Sequence, residues 1–431
     1  MLVRSFGLLA FVVVLCSPPP AAASPPDLFG FGGRSPALGM TGVSYSEGYE
    51  ASYLNPAGLA RSRNRSLSIG LHAHAYRLTV DDERFPINPS TGMSIGFALP
   101  IPFGGPLEDR LVLGGAFFTP TGNLLEGAVF YPERSQFPVL DRAQVAAVSI
   151  GLGVDLRGLL DGLRLGVGVA VIADLVGDLT VFIDETVAFS SQVETQLLAS
   201  YAPVVGVSWD HRDLFGVGLV YRSELAAQMS LNIESRDLPV VVPTLRVGGL
   251  VQYDPHQISF EGFYRIIPEL MVTAQLSARL WSGYEGPQQR TTDSSTLAPD
   301  PEFSNVFVPR FGVEGRFHSD RDRLTLLLRG GYAFEPSPAP PARIAERRPV
   351  NPAEVTEPVP LRYLDNDRHV LTAGAGVEVG FGDDERVQLD VYGQLHLLAS
   401  RTHDIPDEGG SQNLESSGAI WGGGFTATVE F

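Results

Sequence analysis

From Ser66 to Phe431 apolar and polar side chains alternate, segment after segment, and no other feature of the chain restricts its fold so strongly. In the first segment Leu67, Ile69, Leu71, Ala73 and Ala75 share one face, while Ser66, Ser68, Gly70, His72 and His74 share the other. From Gly92 onward, Met93, Ile95, Phe97, Leu99 and Ile101 alternate with smaller residues. A period of two marks an extended strand with unlike faces. The dyad predicts 14 strands, at 66–76, 92–101, 110–119, 143–155, 163–184, 194–209, 213–234, 244–254, 257–283, 306–317, 323–335, 369–381, 386–400 and 418–431. An even count is what single-chain outer-membrane barrels have. The segment 257–283 is long and interrupted by Pro268, and reads equally as two strands with a turn.

Connection lengths point the same way. Working back from Phe431, short connections at 382–385, 318–322, 255–256, 210–212, 156–162 and 102–109 alternate with longer ones, notably 120–142, 284–305, 336–368 and 401–417. Short turns at one end and long loops at the other are the asymmetry of a bacterial outer-membrane barrel, with both mature termini in the periplasm. The sheet must close, because hydrocarbon offers no partner to a free backbone N–H or C=O. The last strands set the faces: Val387, Leu389, Val391, Leu395 and Leu397 point to lipid, and Arg386, Gln388, Asp390, Tyr392, Gln394 and His396 point inward. Likewise Trp421, Gly423, Phe425, Ala427, Val429 and Phe431 face out, and Thr426, Thr428 and Glu430 face in. A soluble β-sandwich alternates too. It leaves the export signal, the number of segments, the one-sided loops and the aromatic terminus unexplained.

The net charge of −18 excludes nucleic acid as a partner, since phosphate binding needs a basic face. No lysine occurs, so every cationic side chain is Arg or His. No apolar run in the mature part approaches the roughly 20 residues of a spanning helix, so any membrane crossing is by strands. Residues 1–23 read as a signal peptide, with Arg4 as its charge, Phe6 to Cys16 as its apolar core and Ala21-Ala22-Ala23 as the cleavage site before Ser24. Cys16, the only cysteine, leaves with the signal. Leu15 before it fits a lipoprotein signal poorly. A mature chain without cysteine is compatible with export without disulfides.

Residues 24–64 form an irregular leader, rich in Gly and Ala between Ser35 and Ala60 and broken by Pro56, with neither a helical stripe nor a clean alternation. A compact leader before a strand run to the terminus predicts a plug (24–64) held by a barrel (65–431). Within it lie Ala37-Leu38-Gly39-Met40 and Asn55-Pro56-Ala57-Gly58-Leu59. Alone, the second reads as an Asx-Pro turn. In order and spacing, the two together resemble the FadL family of outer-membrane transporters for long-chain fatty acids and other hydrophobic compounds. The resemblance returns in Leu327-Leu328-Arg329-Gly330-Gly331-Tyr332 with Pro336 and Pro338, and in Asp367-Arg368-His369-Val370-Leu371. It implies an all-β fold, a 14-stranded barrel whose hatch carries Asn55, Pro56 and Ala57, and passive transport with lateral release where an early strand kinks inward. The third strand carries Gly114-Gly115 and runs into Pro120, which makes it the candidate lateral opening. The mature start, Ser24 to Gly33, differs from the family N-terminus that reaches into the ligand pocket. Phe431 with Val429 and Phe425 resembles the C-terminal signature read by barrel-assembly machinery.

The same parity places Arg164, Arg246, Arg265, Arg310, Arg316 and Arg329 inside, with Glu261, Glu314, Glu378, Asp390 and Glu430. Both signs in one lumen predict cross-strand ion pairs that stiffen the barrel. A guanidinium also matches a carboxylate bidentately, so Arg246, Arg310, Arg316 and Arg329 are candidate contacts to a ligand carboxylate. His72 and His74 have a spacing that could share a metal, but no third ligand is apparent and a lumen-lining role is expected. Asp81-Asp82-Glu83 and Asp383-Asp384-Glu385 read as solvated turns. Gly151 to Gly153 and Gly166 to Gly168 lie within strands, where they make room in the lumen. No nucleophile–base motif is present, so no catalysis, cofactor or metal is expected. The expected partners are a hydrophobic small molecule, outer-membrane lipid and lipopolysaccharide, and the assembly machinery, with the chain acting as a monomer. A second reading is a barrel of the PorV kind, a scaffold for protein secretion that docks cargo through long loops such as 336–368. A third, a surface enzyme, lacks a catalytic motif.

Overall fold

The structure, a computed structural model, describes residues 25–105, 108–121, 125–126, 135–141, 144–183, 189–236, 245–287, 296–297, 299–319, 323–349, 357–381, 385–407 and 410–431. The signal peptide expected at 1–23 lies outside them, as do Asp383 and Asp384. Fourteen strands close into one antiparallel ring: β1 Ser66–Val80, β2 Ser90–Ile101, β3 Leu111–Pro120, β4 Ala147–Asp155, β5 Leu163–Ile183, β6 Phe189–His211, β7 Phe215–Arg222, β8 His256–Ile267, β9 Leu270–Leu280, β10 Val306–His318, β11 Leu324–Glu335, β12 Arg368–Gly380, β13 Arg386–Asp407 and β14 Gly410–Glu430. Each pairs with its neighbours in this order, and β1 closes on β14 from Ser66↔Glu430 to Val80↔Ser416.

The count matches the expectation, but two expected strands are replaced. Segment 257–283 is not one strand. It reverses at Pro268-Glu269, where Ile267 pairs with Leu270, and so forms β8 and β9. Proline offers no N–H to a ladder, so a turn is the natural place for it. Segment 213–234 is likewise divided, into β7 and Leu225–Arg236. The latter forms a hairpin with Leu245–Asp254, outside the ring, and β7 pairs directly with β8. The short turn on that side is therefore 268–269 rather than 255–256. The long loop expected at 401–417 is also a ladder, because β13 and β14 continue beyond a register shift to Asp407↔Gly410.

The faces are those of a protein surrounded by hydrocarbon. On β14, Trp421, Phe425 and Val429 are 40–45% exposed while Thr426 between them is 3% exposed. On β13, Leu389, Val391, Leu395 and Leu397 are exposed, and Asp390, Gln394 and His396 are buried. Apolar side chains outside and charged ones inside reverse the arrangement of a water-soluble sheet protein, and only a lipid surround makes it favourable.

The leader is folded against inward faces around the ring. It forms α1 Pro25–Phe29, α2 Arg34–Ala37, α3 Gly48–Leu54 and a 3-10 helix, Pro56–Arg61. Asn55 starts the 3-10 helix by accepting a 3.1 Å bond from Ala57 N–H, with Pro56 at the first position, where its missing N–H costs nothing. Its amide donates to Val43 O (2.7 Å) and Val207 O (3.3 Å), which ties the leader to β6. The backbone at Pro56-Ala57 lies against Gly166, where a Cβ would come within 2.1 Å of it. At the long-loop end, Trp281, Tyr284, Phe303 and Tyr363 form one apolar cluster. A second cluster packs Leu28 and Phe29 of α1 under Phe137, Leu140 and Leu364.

Candidate functional site

The inward charges are spent on each other and on the leader. Arg34 grips Glu314 of β10 through two bonds of 2.8 and 2.7 Å. Arg329 of β11 bonds the same carboxylate at 2.8 Å and also reaches Asp390 of β13. Glu335 receives Arg279 (3.1 Å), Arg310 (2.9 Å) and Arg368 (3.1 Å), and Arg279 extends to Asp27 of α1 at 3.2 Å. Glu261 of β8 accepts from Gly42, Val43 and Ser44 N–H at 2.6, 2.8 and 3.2 Å. Charges buried this deeply persist only when paired and hydrogen-bonded. Burial alone lowers the affinity of Arg34 for its proton, but Glu314 and its neighbours outweigh this and hold the guanidinium charged. Glu50 of α3 accepts from Gly33 and Arg34 N–H at 2.7 and 3.0 Å. Burial and then the Asp390 carboxylate push its pKa up to about 7 against those two donors.

Several cavities border α1. One is walled mainly by apolar groups: Phe31, Tyr53, Ala116, Phe118, Ile172 and Leu225. Another is mixed, with Asp27, Gln257, Gln275, Arg279 and Arg310 in its wall beside Met40, Val43, Leu54 and Val220. Pro26, Tyr53 and Arg222 line both. Arg222 donates to Tyr53 O, and its guanidinium lies 3.9 Å over the Tyr53 ring. Among the described residues no carboxylate lies within ion-pair distance of it. An arginine held by a carbonyl and an aromatic face keeps donors for an anion.

The arginines proposed from sequence are dispersed. Arg310 lines the mixed cavity and is engaged by Glu335 and by Met40 O at 3.3 Å. Arg329 lies within the Glu314–Asp390 pairs. Arg316 lines a polar cavity at the short-turn end, with Glu47, Glu378 and Arg386. Arg246 pairs with Asn232 in the hairpin outside the ring, and its side chain lies outside the described ones. His72 and His74 have ring centroids 5.6 Å apart, with His74 stacked on Phe29 at 3.7 Å. Among the described residues no group of three ligating side chains is placed to hold a metal ion.

Gly114 and Gly115 do not form an opening. β3 pairs without interruption from Leu111 to Phe118 with both β2 and β4. The reason lies inside: a Cβ on Gly114 would come within 2.2 Å of the Leu59 side chain, so this glycine seats the leader rather than weakening the wall. Arg222 and Glu335 end their strands and Arg279 is the last residue but one of β9, so alternation gives each of them little support. A turn placed at Pro268 gives Thr273, Gln275, Ser277 and Arg279 a common inward parity.

No protein-family model matches the chain, and no curated protein matches it. Solved structures do. A Pseudomonas aeruginosa FadL homologue superposes with a TM-score of 0.62 at 13% identity, over 96% of this chain and 99% of the other. The Pseudomonas putida toluene transporter TodX gives 0.54 at 15% identity, over 94% and 99%. The monoaromatic hydrocarbon channel CymD gives 0.52 at 12% identity, over 93% and 97%. The fold is the one these proteins share, in line with the resemblance carried by the leader motifs.

Proposed function

We propose that the protein carries apolar small molecules passively across a bacterial outer membrane, with its leader (24–64) as the plug of the barrel and its short-turn end in the periplasm. The apolar cavity beside α1 carries this reading, because it gives a hydrophobic guest an apolar wall inside a lipid-facing barrel with a charged interior. The kinship of fold with a FadL homologue, a toluene transporter and a hydrocarbon channel supports it. Each methylene moved from water into such a pocket is worth about 0.8 kcal/mol, so capture needs no energy source beyond the gradient. Hydrocarbons and the tails of long-chain fatty acids both meet this requirement. For an acid, Arg222 stands where the apolar cavity meets the mixed one, and Arg310 lines the mixed one.

The test compares uptake of radiolabelled toluene and of a radiolabelled long-chain fatty acid in cells with and without the gene. Faster uptake of either supports transport. Equal uptake of both, with the protein present in the outer membrane, removes the proposal. Co-purification of a secreted protein with no change in uptake turns the assignment toward the scaffold role.

A further inference from the structure

At the short-turn end the seated leader leaves room beside the wall. The polar cavity there is lined by Glu47 and Arg61 of the leader and by Arg316 of β10, Glu378 of β12, Arg386 of β13 and Glu430 of β14. Arg316 and Glu430 also line the adjoining cavity together, so the two side chains border one space. Most of the other charges are already answered. Arg61 holds Asp210 at 2.8 Å and donates to Ser44 O at 2.8 Å. Arg386 is the ladder partner of Glu430, yet its guanidinium turns to Glu378 at 3.3 Å. Glu47 lies 3.8 Å from Arg34, whose closer pair is with Glu314.

Arg316 and Glu430 are left over. Among the described residues neither side chain makes a hydrogen bond or an ion pair, and Nε of Arg316 is cut off from solvent without an acceptor. A buried donor left unmade is unfavourable, so the position favours an acceptor brought from outside. Each of the two also stands among charges of its own sign. Arg34 and Arg316 are the cations that act on Arg265, whose own Nε donates to Asp213 O at 2.9 Å. Glu47 and Glu378 are the carboxylates that act on Glu430. The cavity therefore has a positive side around Arg316 and a negative side around Glu430. Such a field attracts a molecule bearing one charge of each sign, whereas an ion of a single sign meets one attractive and one repulsive side.

We propose that this cavity is a binding site for a small zwitterion, an amino acid or a short peptide, whose carboxylate meets Arg316 and whose ammonium meets Glu430. A guanidinium matches a carboxylate through two parallel bonds, which supplies the missing acceptor. The site shares no lining residue with the apolar cavity, and it stands whether or not the protein is a transporter. With the short-turn end in the periplasm, its ligand comes from that compartment. Because leader and wall both line the cavity, the bound zwitterion bridges them and holds the leader seated.

The test titrates the detergent-solubilised protein with glycine, diglycine and triglycine, which carry the same two charges at increasing separation. The midpoint of thermal unfolding should rise with the concentration of at least one of them, and the length that acts best reports the distance between the two sides. N-acetylglycine lacks the ammonium and glycinamide lacks the carboxylate. Each loses one charge-assisted contact and should bind about tenfold more weakly or worse. Arg316→Gln and Glu430→Gln should each weaken the response to the zwitterion by a similar factor. Arg316→Gln should also remove the advantage of diglycine over glycinamide, and Glu430→Gln its advantage over N-acetylglycine. The comparison of free and blocked compounds uses the natural chain throughout. No rise with any of the three peptides up to their solubility overturns the proposal, as does equal action of the blocked compounds. A response left unchanged by both substitutions overturns the assignment to Arg316 and Glu430.

Discussion

Arg34 of the leader and Glu314 of the tenth strand meet as a two-pronged pair, both guanidinium–carboxylate bonds within 2.8 Å, across 280 residues of sequence. The same carboxylate also receives Arg329, so one glutamate joins the leader to the wall. Glu314→Gln leaves two buried guanidiniums short of charge, and breaking one side of a buried pair costs roughly 3–5 kcal/mol. The expected outcome is earlier unfolding in detergent, read by the temperature at which the barrel loses its fast electrophoretic migration. A double variant with Arg34→Met should recover part of the loss. If the double variant is no more stable than Glu314→Gln, the pair is not the coupling element.

Glu50 sets a pH dependence. Its pKa of about 7 in the folded chain lies above the ordinary value of 4.5, so the folded state holds the proton more tightly than the unfolded one. Its contribution to stability is therefore complete below about 4.5 and is lost as pH rises through about 7. Thermal unfolding at pH 5 and pH 8 should show a fall for the natural chain that is smaller in Glu50→Gln. Equal falls in both would assign the dependence to other groups.

Gly166 is the seat of the leader. In Gly166→Ala the new methyl collides with the backbone at Pro56-Ala57, which no side-chain rotation relieves. Overpacking of this kind costs typically 1–3 kcal/mol. The 3-10 helix should lift from β5, and planar-bilayer recordings should show ion conductance that the natural protein lacks. Identical silence in both proteins would mean that the leader stays seated.

On the transport proposal, Arg222 should separate two classes of guest. Hydrogen bonds to a charged group contribute roughly 1.5–3 kcal/mol, so Arg222→Gln should weaken binding of a long-chain fatty acid about tenfold or more and leave that of toluene or an alkane unchanged. Equal loss for both would make Arg222 a packing residue of Tyr53. Displacement of a fluorescent fatty acid from the detergent-solubilised protein measures the difference.

The ring was legible because lipid enforces the rule that makes it legible: a residue facing hydrocarbon must be apolar and its neighbours must not be, as on Trp421, Thr426 and Val429. Where the strands rise beyond the membrane the rule lapses. Thus 401–417 reads as a loop although β13 and β14 pair to Asp407 and Gly410. The hairpin at 225–254 defeated the reading for the opposite reason. Its strands alternate as well as ring strands do, and alternation records that a strand has two faces without recording which strand lies beside it.

What the sequence determined by itself was a lipid-facing strand run preceded by an irregular leader, because periodicity and turn chemistry are local and each is written in adjacent residues. Only the tertiary structure decided that β7 skips to β8, that Gly114 seats Leu59, and that Arg222 lies over Tyr53 while Arg329 is consumed by Glu314 and Asp390. Those outcomes depend on which groups far apart in the chain come within a few ångströms of one another. A guanidinium's role is set by its neighbours in space, and the neighbours of Arg222 and Arg329 are assembled only when the ring closes around the leader.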